Sequence, residues 1–500
     1  MASIKKLASQ TIWYGASSIF ARFLYYLLTP YLTLKFTGTV EYGKMSLVYA
    51  LIPFLNTLIL FAFETAYFRF IQRSEYKEDV YNTLTSSLLI STALIVGLTI
   101  FFHVPIAHFI GLYNHPEYVT LAGVIIGLDA ISALPFAKLR NENRPKKFAL
   151  IRICGILINI AAVYFFLTVC PRIIKNNPNS VLRLIYTASF GVGYVLIANI
   201  AQSFFQLLAL WKELSAARLK INLKLWKEVW IYALPLTIAG FAGMINETFD
   251  RVMLQRWSPL KGDAATFEVG VYSACYKLSI LITLFVQAFR MGAEPFFFKQ
   301  STEENAPKVY ARVMKFFVIT ICGMFLVVSL YLDIWKYFIQ DKKMWVGLKV
   351  VPILLLANMF LGIYINLSIW YRLTRKTTAG AYITLIGAGI TIAVNFIFIP
   401  YFSYMACAWA TFLCYGSMMV ISYIWGQKAY PVPYAWKKLL AYMAIVVIFY
   451  LTHHAITGIW HDPALNYTIA SFFLLLFGLF IYRVERKEFG NLLKWRPFTD

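Results

Sequence analysis

Acidic residues are scarce in this chain: 23 Asp and Glu stand against 46 Lys and Arg, and charged residues fill only 14% of 500 positions. Cysteine is sparse too. Cys154, Cys170, Cys275, Cys322, Cys407 and Cys414 lie in or beside apolar runs without CxxC spacing, so neither a disulfide framework nor a thiolate metal site is expected. His103, His108, His115, His453, His454 and His461 also lack ligand spacing, and no metal or other cofactor is predicted. A Walker loop is absent, which excludes nucleotide hydrolysis of that kind. The longest connections, 171–182 and 212–228, are too short for a soluble domain or for the large outer loop of a membrane polymerase, so no enzyme is expected. Alternating segments of about ten residues are missing, which argues against an outer-membrane barrel.

Apolar surface is what the chain has in excess. Hydrophobic residues make up 60% and aromatics 18%, and the mean hydropathy is +0.65. The apolar runs are long enough to span a bilayer, so the class is an all-α polytopic membrane protein. Fourteen transmembrane helices are predicted, over 10–35, 42–68, 81–106, 117–138, 148–170, 183–211, 229–256, 267–297, 310–332, 345–371, 378–399, 403–426, 437–457 and 464–483. Lys5 and Lys6 precede an apolar run that continues to Leu34, too long for a signal core, so the first helix is expected to be retained.

The net charge of +23 sits in short clusters between helices, the pattern of topology signals rather than of a nucleic-acid binder. With the N-terminus inside, alternate segments hold 31 of the Lys and Arg on one side and 11 on the other. Both termini are therefore expected in the cytoplasm, and some clusters are expected to attract anionic membrane lipids. Residues 212–228 are predicted to lie along the inner interface as an amphipathic helix. Trp13, Trp211, Trp230, Trp257, Trp335 and Trp345 cluster at helix ends as interface anchors.

An internal repeat supports a division into halves. Laying 41–71 on 268–298 without gaps pairs Glu41 with Glu268, Gly43 with Gly270, Ser46 with Ser273 and Tyr49 with Tyr276. The predicted organisation is a six-helix lobe over 1–211, a cytoplasmic linker over 212–228, a second six-helix lobe over 229–426, and helices 13–14 with a cytoplasmic tail over 427–500. The frame repeats but the charges do not: Lys277 falls opposite Ala50 and Arg290 opposite Phe63.

Ionisable residues at membrane depth mark the candidate site, because each needs a partner, a cavity or a transport path. Glu247, Asp250 and Arg251 are spaced to share one helix face, with Arg251 expected to pair with one of the acids and Lys277 to meet them from the next helix. This set reads either as a structural ion-pair cluster or as a gate or ion-coupling site. Arg290 and Glu294 form an i, i+4 pair, with Pro295 expected to end regular helix. Arg22 lies deep in the first helix, with Pro30 a candidate kink. Glu64 or Asp129 is its candidate partner, and phosphate binding is the alternative role.

The segments Ala8–Gly15, Glu41-Tyr42-Gly43 and Gly270-Val271-Tyr272-Ser273 with Lys277 resemble bacterial polysaccharide flippases of the O-antigen type, within the multidrug/oligosaccharidyl-lipid/polysaccharide exporter superfamily. The resemblance covers essentially the whole chain and implies a MATE-like fold, with two lobes around a V-shaped cavity and a last helix pair outside the core. It implies a flippase of the inner membrane for undecaprenyl-diphosphate-linked oligosaccharide, working by alternating access and driven by H+ or Na+, with contacts to polysaccharide assembly proteins. Arg22, Arg290 and Lys277 would then contact the diphosphate headgroup, and Glu247, Asp250, Arg251, Glu64, Asp129 and Glu294 would serve coupling or gating. A multidrug organic-cation antiporter and a lipid II flippase are the alternatives, with a membrane polysaccharide polymerase behind them.

Overall fold

The computed structural model describes residues 2–177, 179–301, 303–374, 376–460 and 462–494, and their side chains except 2–18, 295, 487 and 489–494. The Trp13 side chain, His461 and the tail beyond Lys494 lie outside the described residues. A backbone inside a bilayer must satisfy its own polar groups, and helices do this within one segment. Among the described residues, twelve helices are long and apolar enough to cross a membrane.

The chain opens with α1 (Ala2–Lys35), which runs unbroken through Pro30. It is followed by α2 (Glu41–Phe70), α3 (Asp79–Phe101), α4 (Glu117–Asn141) and α5 (Pro145–Asn176). The next helix, α6 (Gly193–Ala209), has 17 residues and is shorter than predicted. Its expected first turns, from residue 183, form a loop ending in Gly191 at φ 43. The second series is α7 (Leu223–Trp257), α8 (Asp263–Gln300), α9 (Ala306–Leu330), α10 (Lys342–Leu373), α11 (Thr377–Phe402) and α12 (Tyr404–Ala429). A final pair, α13 (Trp436–Ile459) and α14 (Pro463–Lys494), completes the bundle.

Three local expectations change. No amphipathic helix covers 212–228: a short helix stops at Ser215, and the Asn222 side chain accepts from Lys224 N at 3.1 Å and Leu225 N at 3.3 Å, capping α7 instead. Helix α8 continues past Pro295 to Gln300. The break between α11 and α12 falls at Ser403, in the left-handed region at φ 48, rather than over the predicted gap at 400–402, where Pro400 lies inside α11.

Neighbour relations repeat from one half to the other. α1 packs on α5, α2 on α4, α3 on α4, α4 on α6 and α5 on α6; the same pairs recur with every number raised by six. Partly buried glutamates anchor both copies in a similar way. Glu41, at the start of α2, accepts from Val192 N at 3.0 Å just before α6. Its repeat partner Glu268, in the first turns of α8, accepts from Ser403 Oγ at 2.5 Å just before α12. At the far end, Glu64 of α2 pairs with Arg140 of α4, and Glu294 of α8 pairs with Arg372 of α10.

The last pair, α13 and α14, packs outside against α9. Glu485, 2% exposed, holds this arrangement by accepting from Lys315 Nζ of α9 at 2.8 Å and Tyr442 Oη of α13 at 2.5 Å. Between the halves, Glu213 is buried against Arg144 at 2.7 Å and Lys147 at 2.8 Å. Burial alone would raise its carboxyl, but the hydrogen bond and charge of Lys147, with Arg144, hold it below its ordinary value.

The halves meet at the repeat-related glycines. A Cβ on Gly43 would lie 1.9 Å from the Thr266 carbonyl oxygen, and one on Gly270 would lie 3.1 Å from Gly43 N. Helices α2 and α8 therefore cross with backbone against backbone. Hydrogen bonds from Gly38 N to Asp341 Oδ2 at 2.7 Å and from Gln340 N to Thr33 Oγ1 at 3.1 Å close the same end. Gly43→Val is expected to lower stability by about 2 kcal/mol through overpacking, measured by thermal unfolding in detergent. Gly97→Val, where a Cβ meets nothing within 4 Å, is expected to leave it unchanged.

Candidate functional site: a cation-lined cavity between the halves

Below the glycine crossing the halves diverge around two adjoining chambers. One, of about 440 Å³, lies mainly among α1, α2, α4, α5 and α6. The other, of about 450 Å³, is walled by α1, α7, α8, α10 and α12. Their shared wall is made of Tyr25, Thr248, Arg251, Tyr276, Lys277 and Ile280. Lys277 and Arg290 are thirteen residues apart on α8, so the cavity follows about 20 Å of that helix.

Five predicted residues converge on the second chamber: Arg22, Glu247, Arg251, Lys277 and Arg290. Arg22 donates to the Gln287 side-chain carbonyl, which ties α1 to α8. Its guanidinium reaches neither Glu64, which pairs with Arg140, nor Asp129, which accepts from Ser203 Oγ at 2.6 Å. Both predicted partners are thus corrected, and an amide that adds no negative charge takes their place. Lys277 forms no hydrogen bond or ion pair among the described residues, although it lies deep in the bundle. Arg290 contacts Glu294 at 3.3 Å. That acid is also bound by Arg372, so it does not fully neutralise Arg290.

Asp250 does not share the cavity face of Glu247 and Arg251, although an ordinary α-helix would bring all three together. Residues Ile245–Phe249 form a stretch of π-helix, whose wider turn changes the register. Glu247 faces the second chamber and makes no side-chain hydrogen bond among the described residues; Arg22 and Arg251 lie within its electrostatic reach. Asp250 is buried at 2% exposure instead. It holds Arg251 at 3.0 Å and accepts from Tyr272 Oη at 2.7 Å. Arg251 also donates to the Glu247 carbonyl at 2.7 Å and lies over the Tyr276 ring, 4.8 Å from its centre. Asp250 is therefore the anchor of Arg251 rather than a cavity group.

Glu64 and Glu294, predicted for coupling or gating, occupy the inter-helix ion pairs described above, and neither lines a chamber wall with Lys277. Asp129 lines the first chamber. Several polar residues there had gone unread: Asn159 donates to Asn199 Oδ1 at 3.0 Å, Asn199 donates to Tyr49, and Tyr25 donates to Gln202. Their signal in the sequence was an amide inside an apolar run, where such a group needs a partner.

Fold and cavity define a multi-pass membrane protein with the architecture of the multidrug/oligosaccharidyl-lipid/polysaccharide exporter superfamily. The model of the polysaccharide biosynthesis protein family matches residues 7–301, and the MatE model matches residues 259–397. The chain belongs to the polysaccharide biosynthesis protein family. Among solved structures it is similar to the lipid II flippase MurJ in its inward closed conformation, at 15% identity and a TM-score of 0.71, over 94% of this chain and 99% of that one. It is also similar to an inward-facing multidrug resistance MATE transporter, at 14% identity and a TM-score of 0.58, over 87% and 96%. At these identities the likeness is one of fold. No curated protein matches the chain in sequence.

Breaking the buried pair tests the anchor. Asp250→Ala leaves the Arg251 guanidinium without its carboxylate and is expected to destabilise the protein by about 3–5 kcal/mol. Tyr272→Phe, which removes one hydrogen bond to the charged carboxylate, is expected to lose less, about 1.5–3 kcal/mol. Thermal unfolding of the purified chain checks both.

Proposed function

We propose that this protein is a flippase that carries undecaprenyl-diphosphate-linked oligosaccharide across the bacterial inner membrane by alternating access. The observation that carries the reading is the second chamber, where Arg22, Arg251, Lys277 and Arg290 face one acid, Glu247. Such a wall suits a diphosphate, which guanidinium groups bind through paired donors. An antiporter for organic cations would need acidic walls, so that alternative is disfavoured. A lipid II flippase shares the diphosphate chemistry and differs in the sugar portion of its substrate.

In this reading the lobes are 1–211 and 229–426, and α2 and α8 close the outer end at Gly43 and Gly270. Both termini lie in the cytoplasm, and the chain transports without catalysing a bond change. Glu247 and Asp129 are the carboxylates assigned here to coupling with an H+ or Na+ gradient, and their place in the chamber walls supports that assignment. Assembly proteins that elongate the exported glycan are its expected neighbours in the membrane.

Arg22→Ala and Lys277→Ala are each expected to reduce surface-polysaccharide export at least about tenfold while the protein remains at its normal level, because each removes a charge-assisted contact. Normal export in both variants would overturn the diphosphate role. Glu247→Gln is expected to keep headgroup binding while transport in proteoliposomes loses its dependence on the ion gradient. An unaltered dependence would remove Glu247 from coupling.

A further inference from the structure

The first chamber differs chemically from its neighbour. Among the described residues Asp129 is its one carboxylate, and that group is engaged by Ser203. Neutral donors and acceptors dominate the remaining polar wall, notably Asn159, Asn199, Gln202, Ser46 and Ser273. Their arrangement is fixed by the Asn159–Asn199–Tyr49 chain and by the bond from Tyr25 to Gln202 Oε1. That bond leaves the Gln202 amide nitrogen without a partner among the described residues. Ser273 Oγ is also unpartnered although the residue is 5% exposed, and its side chain lines this chamber. A buried hydroxyl without a bond is an unmet requirement that a ligand can meet.

Resting on the flippase reading above, we infer that the first chamber is a saccharide subsite, which holds the sugar attached to the diphosphate. Sugars present hydroxyls that amides and side-chain hydroxyls can match, and apolar C–H faces that tyrosine rings can cover. Tyr25, Tyr49 and Tyr276 supply such rings. The volume of about 440 Å³ lies in the range of small-ligand pockets. Continuity sets the register: Lys277 and Arg251 belong to both walls, so phosphate in the second chamber places the adjoining sugar in the first. Sites built to hydrogen-bond a ligand reject analogues that leave their groups unpaired. The chamber would therefore select among glycans while the cationic wall accepts any lipid diphosphate.

The test is binding of two probes to the purified full chain in nanodiscs: undecaprenyl diphosphate, and the same lipid carrying one N-acetylhexosamine. Gln202→Ala and Ser273→Ala are compared with the unchanged chain. Both variants are expected to bind the bare diphosphate within about twofold of the unchanged chain, which also reports that they are folded. Each is expected to bind the sugar-bearing lipid about tenfold more weakly, the equivalent of one strong hydrogen bond. Equal affinity of the unchanged chain for both probes, or variants that discriminate as it does, would overturn the saccharide subsite. Arg22-dependent binding of the bare diphosphate in that outcome would leave the flippase reading standing. Failure of either probe to bind would instead overturn the flippase reading.

Discussion

An ionised side chain inside a bilayer-spanning bundle has few resting places: an opposite charge, a fixed set of hydrogen bonds, or a hydrated cavity. The deep charges followed above each take one of them. Asp250 and Arg251 satisfy one another, with Tyr272 completing the acid. Glu64 with Arg140 and Glu294 with Arg372 lace neighbouring helices. Arg22, Lys277, Arg290 and Glu247 are left for the cavity. The space between the halves is therefore a requirement of these residues as much as a route for a substrate.

The frame is symmetric and its contents are not. Glu41 and Glu268 tether the second helix of each half to the start of the sixth, and Gly43 and Gly270 let those second helices touch. Positions devoted to architecture are thus equivalent. Cavity positions have diverged, with Lys277 opposite Ala50 and Arg290 opposite Phe63. One chamber is cationic, while the other carries mostly amides and hydroxyls beyond the Arg251 and Lys277 wall that the two share. A substrate with a charged end and a sugar end matches that division.

Much of the fold was legible because bilayer physics writes it plainly: long apolar runs, short loops and positive clusters. The linker after α6 was misread because its Lys and Leu pattern resembles an interfacial helix, while the Asn222 cap that starts α7 is a single-residue feature. The site was legible in part. Deep charges announced themselves by composition, and five of the nine chosen residues line the second chamber. Their partners did not follow from spacing. Glu64 lies on the helix next to Arg22 in sequence, yet Arg140 claims it from 76 positions away.

By itself, then, the sequence determined the membrane class, the helical segments, the repeat and the set of costly charges, because each depends on local composition and periodicity. Tertiary structure decided which charges cancel and which remain available. The π-helical turn at Ile245–Phe249 is the clearest case. It places Glu247 in the cavity and Asp250 in the core from a spacing that would otherwise put both on one face. Such an outcome depends on how α7 packs against α8 and α11, and no spacing along a single helix carries that information.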